Sequence, residues 1–334
     1  MSTILVTGGA GYVGAVLVPK LLARGHRVRV LDTYTYGTEA LDPLRGADYL
    51  TEIRGDIRDG NLVERSVAGC DAVFHLACIS NDPSFELDPL LGKSINFDCF
   101  EPLVQAAKRT GVQRFIYISS SSVYGVSAAA DVTEDHPLNP LTDYSTYKAL
   151  CEPLLHAQGS ANFTTLVIRP ATVCGYSPRM RFDLSVNILT NHAVNRRKIL
   201  VFGGAQTRPN IHIDDLTDLY VDLIDEPAER IAGQTFNAGY ANRSIHDLAL
   251  IIRQTVEAEL PGPPIEIETR PTDDLRSYQV NSQRIADVLG FRPRRTIEDA
   301  VRDLCRAFRA GRFPNSLEDR RYFNVALMRA VALA

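Results

Sequence analysis

Along the chain, apolar residues gather into runs of strand length separated by stretches of helical spacing. The runs at 3–7, 27–32, 49–54, 72–76, 114–119 and 163–169 predict strands, and the patterns at 12–24, 94–109 and 142–158 predict helices. Strands such as 3–7 and 72–76 are almost continuously apolar, as burial on both faces of a sheet requires. Their alternation with helices implies a parallel sheet with right-handed crossovers, a doubly wound nucleotide-binding α/β fold.

The second half is less regular. It predicts a helix at 185–196, strands at 199–202 and 210–213, a helix after Asp214, a turn or linker at 261–264, a strand at 265–269 and helices at 282–289 and 296–309. This reads as a smaller α/β lobe packed on the first, with one strand and helix returned to the main sheet. Neither an internal repeat nor a low-complexity tract is evident.

With 334 residues, 45% hydrophobic and 23% charged, the chain is long enough for one large core or two smaller ones. A net charge of -4, with arginines interleaved among acids, offers no footprint for nucleic acid. The start lacks a basic region before its apolar residues, and no apolar run approaches a membrane span, so a cytoplasmic protein without a membrane partner is expected. The six cysteines are scattered without a metal-binding spacing, and no metal is expected. Only 5 of the 36 basic residues are Lys, which draws attention to each of them.

Gly8, Gly11 and Gly14 in TGGAGYVG follow the first strand and open the first helix. Glycine permits a tight turn and close approach of backbone to a pyrophosphate at a helix N-terminus, although a purely structural turn has the same pattern. Asp32, eighteen residues after Gly14, ends the second strand, where a carboxylate accepts both hydroxyls of an adenosine ribose and repels a 2′-phosphate. That favours NAD over NADP. Asp56 and Ile57 end the third strand where an adenine edge would lie, and Asp56 equally reads as a helix cap.

Tyr144 and Lys148 lie four residues apart, on one face of a helix. A nearby cation favours phenolate, which suits proton exchange with an alcohol that becomes a carbonyl. The serine run 119–122 follows the fifth strand, whose carboxyl end faces the crevice of such a sheet; a plain serine-rich turn is the alternative.

Taken with GDIRD, HLAC, SSSSVYG, YSTYK, RPNIHIDDL and DDLRSY, these motifs resemble the extended short-chain dehydrogenases/reductases, within them the nucleotide-sugar epimerases and dehydratases, from residue 3 to about 310. The resemblance implies a Rossmann sheet, residues 1–175 with about 205–245 forming the NAD-binding domain, and 176–204 with 246–334 the nucleotide-sugar-binding lobe. It implies Tyr144 as catalytic acid/base, Lys148 on the nicotinamide ribose, and Ser120 on the reacting hydroxyl. The cofactor would meet Gly8, Gly11, Tyr12, Val13, Gly14, Asp32, Asp56, Ile57, Leu76, Ala77 and Asn96. The substrate, a nucleotide-diphosphate sugar, would meet Ser80, Asn81, Ser120, Asn187, Arg208 and Arg276. Arg179, Arg181 and Asp183 read either as a lid whose arginines face an anionic sugar substituent or as a charged loop.

Relatives that dehydrate or decarboxylate carry an acid where this chain has Ser121 or Ser122, so the resemblance points to epimerisation at C4 through a 4-keto sugar. A 4-keto-sugar reductase or a dehydratase is the alternative, and an NAD-sensing regulator the non-enzymatic one, against which stand Ser120, Tyr144 and Lys148. Two departures bear on the expectation. Cys174 replaces a usual Tyr near the active site. Pro102 and Pro153 fall inside the two long helices that pair in the homodimers of such proteins, where interior proline removes a backbone bond and kinks the helix.

Overall fold

The computed structural model describes residues 1–127, 129, 131–272 and 277–331. Among these, seven parallel strands form the central sheet: β1 (Thr3–Thr7), β2 (Arg27–Asp32), β3 (Leu50–Arg54), β4 (Ala72–His75), β5 (Arg114–Ile118), β6 (Thr164–Pro170) and β10 (Gln234–Ala238). Their order is β10-β6-β5-β4-β1-β2-β3. Helices cover both faces, so Ile4, Val6 and Phe74 point into one hydrophobic cluster and Leu5, Val73 and Phe115 into the other. The α/β doubly wound architecture is thus the one the apolar runs predict.

Strand order reverses between β1 and β4, whose register pairs Thr7 with His75. A crevice opens at such a switch, beyond the carboxyl ends of the strands. The seventh strand, β10, has no strong apolar signature of its own; it is held against β6 from Gln234↔Leu166 to Ala238↔Pro170. It returns to the sheet after the helix Ile213–Asp225, which packs on the helix Gly14–Ala23.

A three-stranded sheet, with β7 (Thr172–Cys174), β9 (Thr207–His212) and β11 (Ala241–Ser244) in the order β11-β9-β7, bridges to the second lobe. There β8 (Lys198–Phe202) pairs parallel with β12 (Glu266–Arg270). The helices Ser185–Arg196, Ile245–Glu259 and Ile297–Arg309 pack on this pair through Val186, Ile199, Val201, Ile252 and Val301. No helix among the described residues is long and apolar enough to cross a membrane.

The predicted helix at 94–109 is interrupted. A π-helical turn, Ser94–Asp98, precedes the helix Phe100–Arg109, so Pro102 occupies its third position, where a missing N–H costs little. Pro153 does sit inside the helix Asp143–His156, which nonetheless remains continuous. Both prolines are exposed. The kink expected at each is therefore replaced, at Pro102, by the π turn immediately upstream.

Candidate functional site

A cavity of about 600 Å³ lies at the switch point, lined by the loops after β1, β2, β3, β4 and β5, by the helix Asp143–His156, and by residues 170–184, Arg208 and Asn324. Gly8, Gly11, Tyr12, Val13 and Gly14 form one wall. Gly8 has φ +74, and a Cβ there would stand 2.7 Å from Ala77 N. A Cβ on Gly14 would stand 2.5 Å from Gly9 O. Both glycines are thus required by close backbone approach, and the loop leads directly into the N-terminus of the helix Gly14–Ala23.

Asp32 accepts from Ala10 N (3.0 Å) and Tyr34 N (2.8 Å), tying the β2 end to the glycine loop. Burial pushes its carboxyl above the ordinary value, against those hydrogen bonds and the Arg179 charge. Asp56 and Ile57 also line the cavity. Asp56 does not cap the next helix; Asp59 does, accepting from Leu62 N (3.0 Å). Burial raises the Asp56 carboxyl, but the hydrogen bonds and charge of Arg58, 2.7 Å away, outweigh it and hold the group below its usual value.

Leu76 and Ala77 continue from β4 into the cavity wall. Beneath them Thr7 Oγ1 meets His75 Nδ1 at 2.8 Å, and burial, then the Lys148 charge, pushes the imidazole down to about 3. Asn96 does not reach the cavity. Its side chain receives Ile79 N (2.8 Å) and donates to Ile79 O (2.9 Å), so the buried π turn secures the loop after β4 instead.

At the other end, Ser120 caps the short helical turn Ser121–Tyr124, accepting from Ser122 N (3.1 Å). The Ser120 hydroxyl also lowers the pKa of the Tyr144 phenol against its burial. The turn is fixed from behind: Ser119 Oγ donates to Glu152 Oε1 (2.6 Å), Arg169 bonds both oxygens of Glu152, and Arg169 Nη1 donates to Tyr124 OH (2.7 Å). The helix Asp143–His156 begins with a Thr142/Ser145 capping box and presents Tyr144 and Lys148 one turn apart. Lys148 is buried, donates to Ile118 O (2.7 Å) and stands 4.9 Å over the Tyr117 ring.

Burial pushes the Tyr144 phenol well above its ordinary value, with Cys78 and Asp82 adding to the rise; Arg181 and the Ser120 hydrogen bond oppose it. Asp82 lines the cavity and accepts from Thr142 Oγ1 (2.6 Å).

The wall facing Tyr144 is a polar network. Arg181 Nη1 donates to Ser80 Oγ (3.1 Å), and Arg181 pairs with Asp183 through Nε (2.9 Å) and Nη2 (3.2 Å). Asn81 Nδ2 donates to Asp183 (3.1 Å), while Asn81 Oδ1 caps the helix Asp82–Phe85. Asn324 Nδ2 donates to Ser80 Oγ (3.0 Å) and Asn324 Oδ1 accepts from Arg179 Nη2 (2.5 Å). Arg208 reaches the cavity from β9.

Three sequence expectations are corrected or left aside. Asn187 does not line the cavity: it is wholly buried, accepting from Gly175 N (3.1 Å) and donating to Tyr12 OH and Arg181 O (both 3.0 Å), so no hydrogen-bonding capacity faces a ligand. Cys174 points away, into the second-lobe core, with its thiol toward Ile211 O (3.4 Å). Arg276 lies outside the described residues.

Sequence reasoning missed Asn324, Tyr36 and Cys78 in the cavity. Asn324 follows the last motif, so only the fold brings it in. Outside the cavity, His212, Asp214 and Asp303 converge. His212 Nδ1 accepts from Asp214 N (3.0 Å), so Nε2 donates to Asp303 (3.1 Å), and Lys20 holds Asp214 at 2.8 Å. These contacts are two hydrogen bonds of His212 and one ion pair, Lys20–Asp214.

The model of the NAD dependent epimerase/dehydratase family matches residues 4–239. The UDP-glucose 4-epimerase of Mycolicibacterium smegmatis is 31% identical over 318 residues, covering 91% of this chain and 98% of that protein. The dTDP-glucose 4,6-dehydratase of Streptomyces griseus is 31% identical over 309 residues, covering 89% and 91%. Among solved structures, the UDP-glucuronic acid 4-epimerase from Bacillus cereus, in complex with UDP-glucuronic acid and NAD, is similar with a TM-score of 0.80 at 25% identity, covering 92% of this chain and 99% of that one.

Proposed function

Because the chain belongs to the NAD-dependent epimerase/dehydratase family, we propose that it interconverts the C4 epimers of a nucleotide-diphosphate sugar through a 4-keto intermediate. The observation that carries the choice is the turn beside Tyr144: Ser120, Ser121 and Ser122 line the cavity, and none of the three can act as the carboxylic acid that expels a hydroxyl as water.

The cavity suits NAD. Close packing around Gly8 and Gly14 leaves backbone, not side chains, facing a diphosphate at the helix N-terminus. Asp32, held by Ala10 and Tyr34, is oriented for ribose hydroxyls, with Asp56 and Ile57 beside the adenine and Leu76 and Ala77 along the ring path. NAD bound there supplies a hydride acceptor that returns the hydride to the sugar.

The protein's own residues handle the proton. Tyr144 takes it from the C4 hydroxyl and returns it to the C4 oxygen, while Ser120 hydrogen-bonds that same oxygen. Lys148, held between Ile118 O and the Tyr117 ring one helical turn from Tyr144, is the cation for the nicotinamide ribose. Ser80, Asn81 and Arg181 form the wall against which the sugar turns over, and Arg208 is the cation for the substrate diphosphate. Its membership of the family is what supports a homodimer as the active form.

A second reading rests on Asp82. It is a carboxylate in the same cavity whose charge raises the Tyr144 phenol, and among the described cavity residues it is the carboxyl near the phenol that could protonate a leaving hydroxyl in a dehydratase. Incubation with UDP- and dTDP-hexoses separates the two: the epimerase gives a C4 epimer of unchanged mass, the dehydratase a product lighter by one water. Tyr144→Phe abolishes either reaction, whereas an NAD sensor is indifferent to it.

A further inference from the structure

Arg179 is 6% exposed, lines the cavity, and has a buried Nε without a hydrogen-bond partner. Its one hydrogen bond goes to the neutral Asn324 Oδ1. Among the described residues no carboxylate lies within ion-pair distance of it, because the nearby Asp183 is engaged by Arg181, Asn81 and Asn324 N. Burial, then the neighbouring Arg181 charge, pushes its guanidinium down to about 10. A buried cation left this way is costly unless an anion meets it.

The location of Arg179 says which anion. The turn before it is fastened to the glycine loop: Tyr12 OH donates to Gly175 O (2.8 Å), and Ser177 Oγ donates to Tyr12 O (2.7 Å). Its guanidinium lies 4.1 Å from the centroid of Tyr36, on the loop after β2, and Arg179 and Asp32 each feel the other's charge. Arg181, two residues on, instead bonds Ser80 and faces Tyr144, with its charge matched by Asp183. Arg179 thus belongs to the stretch between the ribose acid and the reacting end, over the loop whose backbone amides face a diphosphate.

We propose that Arg179 is an anion clamp of the second lobe that closes over the diphosphate of the dinucleotide cofactor. A planar guanidinium held over the Tyr36 ring can offer an edge to phosphoryl oxygens. The clamp makes cofactor retention depend on the docking of residues 175–183 and of Asn324. It rests on the NAD reading of the cavity but not on which sugar reaction follows.

The test is calorimetric titration of NAD, ADP and adenosine into protein freed of nucleotide, with the released nucleotide quantified first. R179Q is expected to weaken NAD and ADP by about tenfold to a hundredfold while adenosine binds as before, the loss of a charge-assisted hydrogen bond to phosphate. N324D, which gives the arginine a carboxylate without removing it, is expected to shift the same ADP-over-adenosine preference in the same direction and keeps the test valid if R179Q does not fold. Unchanged ADP-over-adenosine preference in the folded variants overturns the clamp, as does an equal loss for adenosine. No sugar enters the measurement, so its failure is distinct from failure of the epimerase reading.

Discussion

The Ser119 hydroxyl donates a 2.6 Å hydrogen bond to Glu152 Oε1, so one buried carboxylate joins the turn that carries Ser120 to the helix that carries Tyr144 and Lys148. Arg169 closes the frame, bonding Glu152 from β6 at 2.6 Å and Tyr124 at 2.7 Å. Glu152→Gln leaves the Arg169 charge buried without its counter-ion and is expected to lower stability by about 3 kcal/mol or more, measured by urea unfolding. In the surviving folded protein kcat falls while NAD affinity holds, because the frame positions the turn and touches no cofactor. An E152Q protein as stable as wild type contradicts this.

The phenol of Tyr144 is raised by burial and lowered by Arg181 and Ser120, so the pH dependence of turnover reads its surroundings. In the proposed reaction phenolate is the form that accepts the C4 hydroxyl proton, and a cation favours it. Arg181→Met removes such a cation and is expected to move the ascending limb of kcat/KM to higher pH, while Asp183→Asn, which leaves Arg181 less neutralised, moves it to lower pH. A profile that stays in place in both variants excludes electrostatic control of Tyr144 by this pair.

His75 is held neutral, from an ordinary 6.5 down to about 3, by burial and then by Lys148. Between those values the unfolded chain binds a proton that the native state does not. Stability is therefore full above about pH 6.5 and is lost as pH falls toward about 3, by at most roughly 5 kcal/mol. Thermal melts across this range are expected to show the decline, and His75→Gln to flatten it at some cost in overall stability from the lost Thr7 contact. A slope unaltered by the substitution would assign acid sensitivity elsewhere.

Much of the site was legible in the sequence because its chemistry sits on regular elements. Gly8, Gly11 and Gly14 announce a close backbone approach, Asp32 ends an apolar strand, and Tyr144 and Lys148 share a helix face; the cavity gathers all of them. What failed to show was long-range. Asn187 looks like a polar residue on an amphipathic helix, yet its amide is used up by Gly175, Tyr12 and Arg181, contacts that no local pattern encodes. Asn96 belongs to the loop after β4 through Ile79 and not to the cavity. Asn324 comes from a helix near the C-terminus that bears no motif, and only its docking on Ser80, Arg179 and Asp183 brings it to the site. The strand β10 was hidden for a related reason: its polar residues Gln234, Thr235 and Asn237 around Phe236 do not read as buried, and pairing with β6 supplies what the pattern lacks.

The central claim is that a hydride leaves C4 of a nucleotide-diphosphate sugar and returns to the same carbon. Its most direct test is turnover of a UDP-hexose carrying deuterium at C4, with the product examined by NMR. The account predicts the C4 epimer with deuterium still at C4 and no net accumulation of reduced cofactor. Deuterium found at C6 of a dehydrated product, or accumulating on reduced cofactor without any epimer, would contradict it.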